Sequence, residues 1–239
     1  MFTLIIPYYN QPEMLRLQLE ETLKYPDWVK VIVVDDGSKL PASDYIEGYT
    51  RDLALYRIDV DIPWNREQAR NLGAYVADTD WIIQVDIDHI LSVDAATRLH
   101  DVELSRSWWY RFPRYRVGRA DETRQKDAIR PDKEFGKIHP HVDSYLIPRL
   151  MFLSSPYDER YSGCLGGGTP FTARMSRLYG EPHMLPDDVC LHVFTRDKVK
   201  DSSISTLSRD KSEYTRRRAE IGVNDAPPRI LCNPWHRII

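Results

Sequence analysis

At 239 residues, 42% apolar and 29% charged, the sequence suits one globular domain with a real core rather than a disordered chain. A formal net charge of -3 gives no general attraction to nucleic acid or acidic membranes, and no apolar run is long enough to span a bilayer. The three cysteines, Cys164, Cys190 and Cys232, are too few and too scattered for a disulfide framework or a zinc cluster. A cytoplasmic, reducing setting is expected, with peripheral attachment to a membrane left open.

The first half alternates strand and helix signals, which argues for an α/β domain with a largely parallel sheet. FTLIIP reads as a buried strand, and PEMLRLQLEETLKY as a helix with Pro12 near its start and Leu15, Leu19 and Leu23 on one face. VKVIVVDDGS is a second buried strand ending in an Asp-Gly turn, and LALYRIDVDIP a third, half-exposed one. REQARNLGAYVADT follows as a helix with Ala69, Leu72 and Val76 inward. DWIIQVDID is a fourth strand, central by its apolarity. Beyond it, SWWYRFPRYRVG reads as a strand with Arg111, Arg114 and Arg116 on a wet face, and residues 119–140 as a charged, mobile loop. SYLIPRLMFL returns to the core and YDERYSGCLGGGTP is a glycine-rich loop. FTARMSRLYG is a short helix closed by Gly180, and DDVCLHVFTR the last strand. A Ser-, Arg- and Lys-rich stretch from Lys198 to Arg218 precedes PPRILCNPWHRII, which is expected to pack back onto the body.

In parallel α/β sheets, ligands bind outside the carboxyl ends of the strands. Three polar clusters fall at such ends: PYYN, DDGS and DIDH. Singly, DDGS is a plain turn and PYYN a loop leading into a helix cap. Together they point to a nucleotide site. Asp86 and Asp88, at alternate positions of a strand end, point the same way and repel unless a cation or donor lies between them. Mg²⁺ and Mn²⁺ take carboxylate and phosphate oxygens, so this pair and a diphosphate would complete a cation site.

From Thr3 to Leu91, the order IIPYYN, VIVVDDGS, NREQARNLGAYVADTDWIIQVDID resembles the nucleotide-binding half of GT-A fold glycosyltransferases, especially the family 2-like group. The resemblance implies a UDP-sugar donor and a divalent cation, usually Mn²⁺. By it, Pro7, Tyr8 and Asn10 line the base and ribose, Asp36 meets the uracil edge with Asp35 beside it, and Arg70 lies near the base or phosphates. Asp86 and Asp88 form a DxD motif, Asp86 towards ribose and metal and Asp88 as a metal ligand.

Farther on, SPYDERYSGCLGGGTPFTAR is similar to a segment of galactosyl- and polypeptide GalNAc-transferases that carries Glu-Asp after paired glycines. Here Gly168, Thr169 and Pro170 stand instead, which puts an inverting mechanism with a base at that position in doubt and tilts the reading to retention. Asp187 and Asp188 are the candidates for a replacement base, against a solvated turn after Pro186. LHVF resembles the segment whose histidine is the third metal ligand in the GalNAc-transferases, which implies His192. His89 ranks below it, because the residue after Asp88 in a strand should face away, and His183 lower still. Trp108, Trp109, Gly166, Gly167 and Arg196 are expected around sugar and acceptor, with one of the tryptophans in the core. Arg111, Arg114, Arg116, Arg196 and Lys198 suggest an anionic neighbourhood such as a diphosphate.

The expectation is a GT-A fold glycosyltransferase with a Rossmann-like, mostly parallel central sheet flanked by helices and a small antiparallel acceptor-side part. Residues 1–91 form the nucleotide-binding half, 92–197 the metal and acceptor half, and 198–239 a C-terminal lid and tail of a single domain. It would move a sugar from a UDP-sugar to a hydroxyl of a saccharide-like acceptor, with Mn²⁺ or Mg²⁺. A nucleotidyltransferase of nucleotide-sugar synthesis is one alternative, although PYYNQPEM lacks the glycine- and lysine-rich loop that a triphosphate needs. A catalytically inactive protein that binds sugar or nucleotide is the other.

Overall fold

The structure, a computed structural model, describes residues 1–62, 65–119, 137–141, 143–164, 166–195, 212–221, 227–230 and 233–239. The first part runs β1 (Phe2–Tyr8), α1 (Pro12–Thr22), β2 (Val29–Asp35), β3 (Leu53–Ile58), α2 (Arg66–Val76) and β4 (Trp81–Gln84). Next come β5 (His89–Leu91), α3 (Val93–Arg98), β6 (Tyr110–Arg111), β7 (Arg114–Arg119), β8 (Lys137–Ile138), β9 (Tyr145–Pro148) and α4 (Arg149–Ser154). The chain closes with α5 (Gly168–Tyr179), β10 (His183–Met184), β11 (Leu191–Thr195), α6 (Ser212–Ile221) and β12 (Trp235–Arg237).

The main sheet has the order β10-β6-β9-β4-β1-β2-β3-β12, and a smaller one β5-β11-β7-β8. Strands β1 to β4 are parallel, so Tyr8, Asp35 and Gln84 end towards one edge. Strand β9 runs antiparallel to β4 with Tyr145 opposite Gln84, so the chain entering β9 arrives at that same edge. Alternate residues of β1 bury opposite faces. Leu4 and Ile6 pack with Met14, Leu15 and Leu19 of α1, whereas Ile5 packs with Ala69, Leu72, Phe152 and Phe171 of the helices on the other side. Burial on both faces is why these strands read as unbroken apolar runs. Each fully buried aliphatic side chain contributes about 1.5–3 kcal/mol. Gly73 lets α2 lie directly on Ile5, where a Cβ would collide with that side chain.

Four expectations change. Leu23 is exposed because α1 stops at Thr22. Strand β4 stops at Gln84, and the chain then turns, with the His89 amide donating to Asp86 O at 2.9 Å. SWWYRFPRYRVG is split at Phe112-Pro113, so β6 joins the main sheet and β7 the small one, as a proline that cannot donate to a ladder favours. Strand β11 is not the last, because β12 pairs antiparallel with β3 and fastens the C-terminal segment to the body. Of the loop expected at 119–140, residues 120–136 lie outside the described residues, and Lys137–Ile138 pair with β7. Cys164 and Cys190 are buried and free, while Cys232 lies outside the described residues. Among the described residues no helix is long and apolar enough to cross a membrane.

Candidate functional site

The turn after β2 gives its two acids different tasks. Asp35 accepts from the Ser38 amide (2.8 Å), the Ala42 amide (2.9 Å) and Arg57 (2.7 Å), so its carboxylate is engaged in shaping the turn. Asp36 is buried with Oδ1 lacking a hydrogen-bond partner. Burial pushes its carboxyl well above the usual range, against hydrogen bonding from Asn65 and with Glu67 and Asp35 adding to the rise. Gly37, at φ 70°, is required here, since a Cβ would run into the Val60 backbone. The Tyr8 hydroxyl donates to Leu40 O (2.7 Å) and Asn10 Oδ1 accepts from the Leu40 amide (3.0 Å), bracing the loop beside Asp36. Pro7 lies in β1 opposite Val34.

Asp86 sits in the turn beyond β4. Buried Gln18 of α1 braces that turn by donating to Ile87 O (3.2 Å) and His89 O (2.8 Å). The turn swings His89 back beside Asp86. His141, just ahead of β9, comes to the same place, its Nε2 3.6 Å from Asp86 Oδ2 and its ring edge-on to His89 at 4.6 Å. One ligand atom from each of Asp86, His89 and His141 lies within 4.8 Å of the others. Burial works to raise the Asp86 carboxyl, but Arg70, His141, His89 and Arg66 hold it well below the usual range. Burial lowers His89 to about 4 against the pull of Asp88 and Asp86, so the ring is neutral at pH 7. Its Nδ1 meets Ser144 Oγ at 2.9 Å and its Nε2 meets Arg114 Nη1 at 3.1 Å. Arginine can only donate, so Nε2 carries the lone pair and Nδ1 the proton. A carboxylate oxygen and two imidazole nitrogens suit Mn²⁺ better than Mg²⁺, and Ser144 fixes the ring as metal-binding histidines are usually fixed.

Behind this cluster runs a chain of alternating charge. Fully buried Arg70 donates from Nη2 to Asp86 Oδ1, and its Nη1 lies 3.9 Å from Asp143 Oδ1. Arg66 reaches Asp143 Oδ2 at 3.0 Å and Glu67 Oε1 at 3.4 Å. A Cβ on Gly167 would collide with Glu67 Oε1, and one on Gly168 with Asp143 Oδ1. Gly167 and Gly168 therefore make room for two buried carboxylates at the amino end of α5, where the helix dipole favours negative charge.

The remaining expected site residues fall in different places. Asp88 lies in the same turn as Asp86, its backbone O accepting from the Phe194 amide (3.0 Å), and its charge acts on His89 and Arg114. His192 does not join Asp86. It pairs opposite Ile90 while Val193 pairs opposite His89, so the two histidines face opposite sides of the small sheet. Its Nε2 lies 3.8 Å from Cys190 Sγ, and the acids acting on it are Glu21 and Asp94. His89 takes the position against Asp86 because the chain turns between the end of β4 and the start of β5, so strand alternation does not run from Asp86 to His89. Trp109 is core, packed on Tyr145 at 4.8 Å. Trp108 is exposed and stacks on His183 at 4.0 Å. Since Arg111 is level with Tyr145 and Gln84, Trp108 lies towards the opposite edge, near the Arg106–Asp80 pair. Gly166, at φ 109°, faces the Tyr214 ring of α6. Asp187 and Asp188 are exposed and paired with Lys137 and Arg98. Arg196 and Lys198 lie outside the described residues. Glu67, Arg66, His141, Asp143 and Ser144 were not anticipated.

The profile of the family described as Glycosyl transferase family 2 matches residues 3–139. No curated protein sequence matches the chain. Among solved structures, S. aureus TarS 1-349 in complex with UDP-GlcNAc is similar at TM-score 0.62 and 15% identity, over 93% of this chain and 66% of that one. Mannosyltransferase PcManGT from Pyrobaculum calidifontis in complex with GDP-Man and Mn²⁺ is similar at TM-score 0.58 and 14% identity, over 83% of this chain and 58% of that one. A further S. aureus TarS structure, at TM-score 0.55, is covered over 44% of its length. The chain thus spans roughly half to two thirds of the length of these proteins. At such identities the likeness is one of fold, the GT-A arrangement of a large central sheet with flanking helices. The family match stops at residue 139, so the resemblance to GalNAc-transferases in the second half is not part of it. Because the matched residues 3–139 make up more than half of the 239, the chain belongs to glycosyl transferase family 2.

Proposed function

We propose that this glycosyltransferase uses a UDP-sugar together with a divalent cation, Mn²⁺ in the first instance, and passes the sugar to a hydroxyl of a saccharide-like acceptor. Asp86, His89 and His141 would hold the cation. The observation that carries this reading is the convergence of those three side chains at the strand edge where Asp36 also stands. The fold neighbours lend support, one solved with GDP-Man and Mn²⁺ and another with UDP-GlcNAc. When bound, the cation would supply Lewis-acid stabilisation of the departing diphosphate.

The chain's own residues would do the rest. Arg70 fixes one oxygen of Asp86 and leaves Oδ2 towards His141. Ser144 orients His89. Asp36 holds an unpaired buried oxygen, whose cost is relieved by a donor such as the uracil imide N–H. Arg114 brings positive charge beside Asp86 and Asp88, where it would stabilise negative charge growing on the leaving group. A screen of UDP- and GDP-sugars with Mn²⁺, reading released nucleotide and then the product anomer, tests the proposal. Release from a UDP-sugar that depends on the acceptor supports it. Tight UDP binding without release from any donor would turn the reading to a catalytically inactive binding protein.

A further inference from the structure

Arg114, the first residue of β7, lies against His89, one of the three side chains that would hold the cation. Its Nη1 donates to His89 Nε2 (3.1 Å), while its Nε (2.8 Å) and its Nη2 donate to the carbonyl of His139. Burial works against its charge, and Asp86 and Asp88 offset that penalty. The guanidinium thus ties together the two chain segments that carry the histidines. In doing so it caps the lone pair of His89 through which that ring would bind a metal.

One nitrogen lone pair cannot serve a guanidinium N–H and a divalent ion at once, and two cations so close repel. Entry of the ion therefore requires Arg114 to let go of His89. A part-buried guanidinium that loses a partner costs free energy until it finds another acceptor. The acceptor that arrives with the ion is the diphosphate, whose oxygens match the arginine fork.

We propose that Arg114 is an exchange residue: it caps His89 when no ion is held, and moves to the donor's diphosphate when the ion takes His89. This rests on the reading of Asp86, His89 and His141 as cation ligands. The consequence is positive coupling between ion and nucleotide, because each favours the same displaced position of Arg114. By linkage the coupling is reciprocal.

The experiment measures Mn²⁺ affinity by electron paramagnetic resonance and calorimetry, with and without UDP or GDP, for the wild type, Arg114→Gln, Arg114→Lys and His89→Gln. Thermal melts confirm that each variant is folded. Arg114→Gln is expected to bind Mn²⁺ alone about 3–10-fold more tightly, since nothing must be displaced, while the enhancement by nucleotide falls about tenfold. Arg114→Lys keeps the charge without the fork and should regain only part of the nucleotide enhancement. His89→Gln should weaken Mn²⁺ in both conditions. Weaker binding of Mn²⁺ alone by Arg114→Gln would mean that Arg114 only props the histidines in place, and would overturn the exchange. An unchanged nucleotide enhancement in that variant would overturn it as well. If the wild type binds nucleotide but no Mn²⁺, the cation reading itself falls and takes the exchange with it, a pattern distinct from the other two.

Discussion

Replacing Glu67 by glutamine probes the buried charge chain where it is least compensated. Glu67 is fully buried and its Oε2 has no hydrogen-bond partner. Burial raises its carboxyl from 4.5 to about 7, with Arg66 opposing the rise and Asp143 adding to it. A carboxyl whose folded pKa exceeds its unfolded one stabilises the fold fully below the unfolded value, and loses that contribution as pH rises through the folded one. Between pH 4.5 and 7 the protein therefore loses roughly 3 kcal/mol of stability on this group, a loss that an amide would not suffer. Glu67→Gln is expected to match the wild type at pH 4.5 and to exceed it by about 1–3 kcal/mol at pH 8, the lower figure allowing for a weaker pull on Arg66. Urea unfolding at the two pH values measures the difference. Arg66, Arg70, Asp143, Asp36 and Cys164 also face Glu67, and comparing the two proteins at each pH largely cancels their own titration. An equal gain at both pH values, or a loss at pH 8, would mean that burial does not hold Glu67 in its protonated form.

His141→Ala should weaken Mn²⁺ binding at least tenfold and His192→Ala should leave it near wild type, as read by calorimetry; the reverse ranking would restore His192 as ligand. Gly168→Ala drives a methyl into Asp143 and should cost about 1–3 kcal/mol by denaturant titration. It should also weaken nucleotide binding, since Asp143 holds Arg66 and Arg70. Trp109→Ala should lose about 3–5 kcal/mol as a core truncation, whereas Trp108→Ala should leave donor turnover unchanged, and unfolding and turnover assays on the pair separate the two tryptophans.

Much of the scaffold was legible because burial on both faces writes the strands β1, β2 and β4 as apolar runs and period 3.6 marks α1 and α2. The three polar clusters at the strand ends were legible for the same reason, since a parallel sheet gathers its carboxyl ends. The cluster of Asp86, His89 and His141 was less so. Treating VDIDH as strand made alternation reject His89, whereas the turn closed by the His89 amide and braced by Gln18 brings that ring to Asp86. His141 and Asp143 lie in HPHVD, directly ahead of SYLIP, and only the antiparallel pairing of β9 with β4 carries them to Asp86. That pairing joins residues about sixty positions apart, which no local pattern encodes. The glycines after Cys164 suggest space in the loop, and only the structure shows Glu67 and Asp143 packed against Gly167 and Gly168.

Asp86, His89 and His141 are proposed to hold the cation that accompanies a nucleotide sugar. A crystal structure of the protein with Mn²⁺ and UDP, with anomalous scattering recorded to locate manganese, tests it most directly. The expected result is a manganese peak bounded by Asp86, His89 and His141 and touching the diphosphate. A manganese peak at His192, or UDP bound at Asp36 with no metal near Asp86, would show that these three side chains are not the metal site.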